Sequence, residues 1–342
     1  MEAELKNVRC IVTCDNMAIM RGDACFVPLA RARMMESQGS LKIIDKLEPK
    51  QKTVCDFDFL YRFHFSQRRT TRVAWVQNYS KNGGAEISNF TAVRIGQNLG
   101  FDISGVVIDA EQFSFKILDD SDIIIVNNLH NGRRKEILDY LYATKKPWIK
   151  YDHDRCETEF DLYKRSRLNV FISPAHQAHY AEKCGQEILS KSICLPLAFD
   201  VDAWQNKIDG RIPGSIFIPV YMKCRNGVQE FMRTNPHYKY FMTGSVKPIY
   251  GADITILNEI NYQDMPEVYR RYETVLHIPN NKTAGERILF EAVLSGCKVI
   301  TNDNAGHTSW SFDWRDERVL RPILRRAVYQ FWHEVENVID GK

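Results

Sequence analysis

Residues 281–300 read Asn-Lys-Thr-Ala-Gly-Glu-Arg-Ile-Leu-Phe-Glu-Ala-Val-Leu-Ser-Gly-Cys-Lys-Val-Ile. Thr283 and Glu286 have the spacing of a capping box. Ile288, Leu289, Ala292 and Val293 then recur at helical spacing until Gly296 provides a stop. Lys298, Val299, Ile300 and Thr301 read as a buried strand, so the unit is a loop, a short helix, a tight turn and a strand. A helix start set among small residues, here Thr283, Ala284 and Gly285, offers main-chain N–H groups and the positive end of the helix dipole to an anion. Glu291 sits on the helix, where a carboxylate can accept from two vicinal hydroxyls. Glu286 reads either as a cap alone or as part of the same site.

Outward from this unit, strands and helices alternate. Upstream, strands are expected over 73–77, 101–108, 122–127, 147–151, 169–173 and 192–195, with helices over 85–98, 134–143 and 175–184. Asn206, Lys207, Asp209, Gly210 and Pro213 give linker chemistry across 204–214. The alternation resumes with strands over 215–220, 239–242, 253–257 and 275–278 and helices over 227–234 and 265–272. Ile323, Leu324, Ala327, Val328, Phe331, Trp332 and Val335 form the apolar stripe of a terminal helix after Pro322. This pattern predicts an α/β protein with two Rossmann-like domains, residues 72–205 and 206–321, followed by a helix over 322–342.

Residues 1–71 form a separate appendage in this reading. Val8, Cys10 and Val12 alternate like a strand, Arg21-Gly22-Asp23 reads as a turn, and the apolar run over 24–29 can pair back. The aromatic stretch from Phe57 to Phe65 ends in the basic cluster Gln67-Arg68-Arg69-Thr70-Thr71-Arg72. It reads as a packing element or as an acceptor-binding one.

With 342 residues there is room for two medium domains. A net charge of +3, from 46 basic and 43 acidic residues, gives no global nucleic-acid or membrane footprint. No apolar run reaches the length of a membrane span, and Met-Glu-Ala-Glu-Leu-Lys is not a signal peptide, so a cytoplasmic protein is expected. Nine cysteines without a Cys-x-x-Cys pair are expected to be reduced thiols.

Three further places carry chemistry. The turn Asn78-Tyr79-Ser80-Lys81-Asn82-Gly83-Gly84-Ala85-Glu86 opens a helix after the first strand, so backbone can approach a phosphate or sugar closely. Its spacing is neither Gly-x-Gly-x-x-Gly nor a P-loop, which argues against a dinucleotide enzyme and an ATPase. Tyr151-Asp152-His153-Asp154 lies at the carboxyl end of a strand, where open α/β sheets build their sites. A metal held by Asp152, His153 and Asp154 is the weaker reading there, and His176 and His179 read as surface histidines. Lys223 and Arg225 follow the strand that opens the second domain, and two cations suit a leaving diphosphate.

Glu291, Ala292, Gly296, Val299 and Ile300 resemble the donor-binding helix of the family 4 glycosyltransferases of GT-B architecture, and Gly83-Gly84-Ala85-Glu86 resembles the way many of them begin. The resemblance spans roughly residues 72–338 by several motifs in the right order. It implies that Glu291 holds a nucleotide ribose. It also implies that Gly83 and Gly84 lie beside the donor diphosphate, and that His153 contacts the transferred sugar. Lys223 and Arg225 would neutralise the diphosphate, joined by Thr283, Ala284, Gly285 and Glu286, while Gly244, Ser245 and Tyr262 lie in the nucleotide-base region. His153, Gly84, Lys223 and Arg225 form the catalytic set in this reading.

The departures are specific. The family's first glutamate is Thr283 here, Asn226 takes the place of its lysine, and Pro196-Leu197-Ala198-Phe199-Asp200 matches its interdomain segment only at Pro and Asp. The implied activity is transfer of a sugar from a nucleotide-diphosphate donor, linked to UDP, GDP or ADP, to a glycan, lipid or other hydroxyl-bearing acceptor. Retention, no metal and no cofactor beyond the donor substrate are implied with it. Two rivals stand beside it: a non-catalytic GT-B protein that binds a nucleotide or a partner, motivated by Thr283 and the shifted cations, and a glycosyltransferase acting on nucleic-acid bases, motivated by the aromatic, basic segment before Arg72.

Overall fold

Ile123-Ile124-Ile125-Val126 is apolar without alternation and wholly buried, the pattern of a strand covered by helices on both faces. The computed structural model describes residues 7–12, 24–28, 41–45, 71–78, 83–108, 110, 113–129, 132–206, 210–220, 222–243, 253–257 and 260–341. At the N-terminal end β1 (Asn7–Val12), β2 (Ala24–Pro28) and β3 (Leu41–Asp45) form an antiparallel sheet in the order β2-β1-β3. The expected return of the run after Ala24 onto the first strand is present, with Cys10 opposite Cys25. The turn at 21–23 and the aromatic, basic stretch over 57–70 lie outside the described residues.

The first lobe runs β4 (Arg72–Gln77), α1 (Gly84–Asn98), β5 (Asp102–Val107), α2 (Lys116–Asp120), β6 (Ile123–Val126), α3 (Arg134–Ala143), β7 (Trp148–Tyr151), α4 (Asp161–Arg165), β8 (Leu168–Phe171), α5 (Pro174–Cys184) and β9 (Ser192–Cys194). Its sheet is parallel and ordered β5-β4-β6-β7-β8-β9. The second lobe runs β10 (Ile212–Ile218), α6 (Arg225–Thr234), β11 (Lys239–Thr243), β12 (Asp253–Leu257), α7 (Met265–Arg270), β13 (Tyr272–Leu276), α8 (Arg287–Leu294) and β14 (Lys298–Ile300). Its parallel sheet is ordered β12-β11-β10-β13-β14. These are the two Rossmann-like domains of the sequence reading. The short helices α2 and α4, five residues each, were not anticipated, because one turn and a half carries too little periodicity to read.

The last helix, α9 (Glu317–Ile339), corrects one expectation: it starts before Pro322, and Asp316 caps it by accepting from the Arg318 N–H at 2.9 Å. Pro322 lies inside the helix, where it removes one main-chain hydrogen bond. The helix returns to the first lobe. Its Trp332 Nε1 donates to the Ala92 carbonyl at 2.8 Å, and its rings pack on Phe101 at 4.6 Å and Trp75 at 6.0 Å. Gly96 permits this approach, since a Cβ there would run into the Trp332 ring. Among the described residues no helix is long and apolar enough to cross a membrane.

Candidate functional site

A cleft of about 1720 Å³ separates the lobes, walled by the carboxyl ends of the parallel strands and the loops after them. His153 and Gly84 line it from the first lobe, and Lys223, Tyr262, Thr283, Ala284, Gly285, Glu286 and Glu291 from the second. Arg225 is exposed at the start of α6 and does not line the cleft, so the expected Lys223–Arg225 pair is not assembled there. Arg225 opens α6, whereas Lys223 lies in the turn before it. Gly83 is the N-cap of α1, just behind the lining, and Gly244 and Ser245 lie outside the described residues.

The capping box is not formed. Helix α8 begins at Arg287, with Glu286 as an extended N-cap that makes no side-chain cap bond. Thr283 is used elsewhere: its hydroxyl donates to the Asn304 carbonyl at 3.3 Å and accepts from the Gly306 N–H at 3.2 Å, fastening the loop to the turn after β14. Glycine is required in that turn, because a Cβ at Gly306 would collide with the Ala284 carbonyl. Among the described residues, no acceptor outside α8 takes the main-chain N–H groups of Gly285, Glu286 or Arg287. The helix tip therefore still offers donors to the cleft.

Glu291 faces the cleft yet is 3% exposed, and both its oxygens are engaged. Oε1 accepts from Tyr262 OH at 2.8 Å and Arg287 Nε at 3.1 Å, and Oε2 accepts from Tyr269 OH at 3.2 Å. Arg287 is the organising side chain. It donates to Ser88 Oγ on α1 at 2.7 Å, to the Ala198 carbonyl at 2.9 Å and to Tyr262 OH at 2.8 Å, with its guanidinium 3.9 Å from the Phe199 ring centroid. It thus joins the glutamate of the second lobe to the first lobe and to the segment between them. Tyr262, expected in the nucleotide-base region, lines the cleft and is bonded to this pair. Sequence reading passed over Arg287 because an arginine on a helix is ordinarily a solvated charge; its (i, i+4) spacing to Glu291 was the available signal.

On the first-lobe wall, Asn89 Nδ2 donates to Gln77 Oε1 at 3.1 Å, so Asn89 Oδ1 accepts from His153 Nε2–H at 2.9 Å. His153 Nδ1 is left as a buried acceptor without a partner among the described residues. Burial, then the His176, Lys150 and Arg287 charges, push its pKa down to about 3, so the ring is neutral at physiological pH. Asn128 supports the same corner, with Oδ1 accepting from the His153 N–H at 3.2 Å and Nδ2 donating to Asp154 Oδ2 at 3.1 Å.

Asp152 does not join His153. Its carboxylate turns into the core, where Lys150 donates to it at 3.3 Å and Tyr163 OH also donates to it. Glu157, bonded to Arg134 at 2.8 Å, completes this buried cluster. Among the described residues no group of three or more His, Cys, Asp and Glu is placed to hold a metal ion. His176, expected on the surface, is fully buried: its Nε2 bonds the Asp154 carbonyl at 2.9 Å, holding the loop after β7 against α5. His179 is half-buried and accepts at Nδ1 from Arg155 Nη2 at 2.7 Å.

Glu286 has His277 Nε2 4.0 Å away, and His277 Nδ1 lies 3.3 Å from Cys224 Sγ. Burial raises the Glu286 pKa, opposed by the Lys223 charge and aided by Asp154 across the cleft. Burial pushes His277 down to about 4.

No family model matches the sequence, and no curated protein matches it. Solved structures do. The chain is similar to Anabaena HepE in complex with UDP and glucose, with a TM-score of 0.52 at 10% identity over 79% of this chain and 98% of that one. It is similar to an alpha-glucosyltransferase in complex with UDP and a 13-mer DNA containing a HMU base, with a TM-score of 0.54 at 11% identity over 80% of this chain and 100% of that one. A glycosyltransferase from Rickettsia africae gives a TM-score of 0.52 at 11% identity over 80% of this chain and 94% of that one. The architecture is the GT-B fold of glycosyltransferases, two Rossmann-like domains facing a cleft.

Proposed function

We propose that the chain is a glycosyltransferase that moves a sugar from a nucleotide-diphosphate donor to an acceptor hydroxyl. The observation that carries this reading is the cleft itself, which gathers Glu291, the open tip of α8 and Lys223 on one wall and neutral His153 and Gly84 on the other. A leaving diphosphate gains charge as the glycosidic bond breaks. Lys223 and the N–H groups at the α8 tip suit that charge. The unpartnered His153 Nδ1 suits a sugar hydroxyl as donor. Glu291 would take the ribose hydroxyls by exchanging protein donors for them, since both its oxygens are engaged without a ligand. Closing the cleft would exclude water that otherwise hydrolyses the donor.

Retention at the anomeric carbon and chemistry without a metal rest on the resemblance to family 4. A uridine nucleotide is the first donor to test, because the structures of HepE and of the alpha-glucosyltransferase contain UDP. The test incubates purified protein with UDP-, GDP- and ADP-sugars and a set of sugar, lipid and nucleic-acid acceptors, and measures both nucleotide release and transfer. Transfer to any acceptor supports the reading. Tight nucleotide binding with no release favours a non-catalytic binding protein, the reading motivated by Thr283 in place of the family's glutamate and by the shifted cations.

A further inference from the structure

The departing diphosphate needs more positive charge than one lysine, and Arg225 is outside the cleft. The cleft is lined by three other described cations: Lys282, Arg287 and Arg155. Arg287 is already committed, its charge balanced by Glu291 and its donors spent on four partners. Lys282 is exposed on the loop before α8 and would lose the most side-chain freedom on binding.

Arg155 differs from both. It is half-buried on the first-lobe wall, and it is anchored by a neutral acceptor: Nη2 donates to His179 Nδ1 at 2.7 Å. Arg155 forms no ion pair among the described residues, so the anchor fixes the guanidinium without cancelling its charge. A guanidinium bonded through one nitrogen keeps a fork of N–H groups for a bidentate anion.

Its placement is tied to the α8 tip through α5. The start of α5 abuts the loop into α8, with Ser173 Oγ donating to the Ala284 carbonyl and the Ala175 N–H donating to Ser309 Oγ at 2.9 Å. Further along the same helix, His176 holds the Asp154 carbonyl and His179 holds Arg155. One helix therefore locates both Arg155 and the loop that leads to the α8 tip.

We infer that Arg155, oriented by His179, is a binding residue for the donor diphosphate and supplies from the first lobe the second cation that Lys223 lacks. This rests on the proposed glycosyl transfer. Closing the lobes would then bring the two cations onto one diphosphate, so donor binding itself would favour the closed cleft.

The test titrates wild type, Arg155→Gln, Arg155→Lys and His179→Phe with UDP, ADP and GDP and with the matching nucleosides by calorimetry, with the exposed Arg233→Gln near the C-terminal end of α6, outside the cleft lining, as a control. Arg155→Gln is expected to lower affinity for the diphosphate that wild type binds by about tenfold. Affinity for its nucleoside should stay within twofold, Arg155→Lys should restore part of the loss, and His179→Phe should fall between. Undiminished diphosphate affinity in Arg155→Gln, or an equal loss for nucleoside and diphosphate, would overturn the inference while leaving the function standing. No binding of any of the three diphosphates by wild type would overturn the function and this inference with it.

Discussion

Replacing Arg287 with methionine keeps the aliphatic stem but removes the cation beside a carboxylate that is itself buried. The two side chains are 6% and 4% exposed, so water does not compensate the loss. The substitution deletes bonds to Glu291, Ser88, Ala198 and Tyr262 and the contact with the Phe199 ring. Removing one partner of a buried pair costs roughly 3–5 kcal/mol, mostly because the remaining charge is stranded. If that is the mechanism, Glu291→Gln in the same chain should recover much of the loss, since the amide oxygen can still accept from one tyrosine and the amide NH2 donate to the other hydroxyl without a charge to solvate. A coupling of about 1–3 kcal/mol between the two substitutions is expected. Urea unfolding of wild type, both single variants and the double variant gives the cycle. Additivity within about 0.5 kcal/mol would refute the stranded-charge reasoning.

Stability should fall on acidification below pH 6.5. His153, His176 and His307 are pushed by burial to about 3 and His277 to about 4, so below 6.5 the unfolded chain binds protons that the folded chain refuses. Each contributes a slope of about 1.4 kcal/mol per pH unit once the pH is well below 6.5, saturating at its folded value. Asp152 and Glu286, raised by burial, act in the opposite sense, so the histidine part is read as the difference between wild type and a variant lacking one of these histidines. His307→Phe should remove one proton from that slope, because the ring stacks on Phe290 at 3.9 Å and neither of its nitrogens has a partner among the described residues; an unchanged slope would count against it. Trp332→Ala should cost about 3–5 kcal/mol in urea unfolding by emptying the seam between α9 and the first lobe. Lys223→Gln should weaken UDP binding about tenfold in calorimetry and leave uridine binding unchanged.

Much of the fold was legible because the central strands of the first lobe, β6, β7 and β8, are wholly buried and the long helices keep one apolar stripe. The stretch Ile123 to Val126 and the periodicity of α8 and α9 leave few other ways to hide their side chains. Helix starts were less legible. Thr283 and Glu286 have capping-box spacing, but tertiary bonds to Asn304 and Gly306 hold Thr283 in the loop, and a local pattern does not show them. The wall residues His153, Lys223 and Glu291 could be proposed from their place after strands or, for Glu291, on α8. Arg287 offered only its (i, i+4) spacing to Glu291, and Asn89 and Arg155 offered nothing, because each gains its role from a partner distant in the chain or on a neighbouring element: Ser88 for Arg287, His153 for Asn89, His179 for Arg155. The amide of Asn89 and the guanidinium of Arg155 look like ordinary surface chemistry until α1 and α5 are folded against the loop after β7.

The proposed gripping of a nucleotide ribose by Glu291 is tested most directly by comparing a nucleoside diphosphate with its 2′,3′-dideoxy analogue in wild type and in Glu291→Gln. The account predicts that losing the two hydroxyls weakens binding about tenfold in wild type and hardly at all in the variant. An equal effect of the missing hydroxyls in both proteins would contradict it.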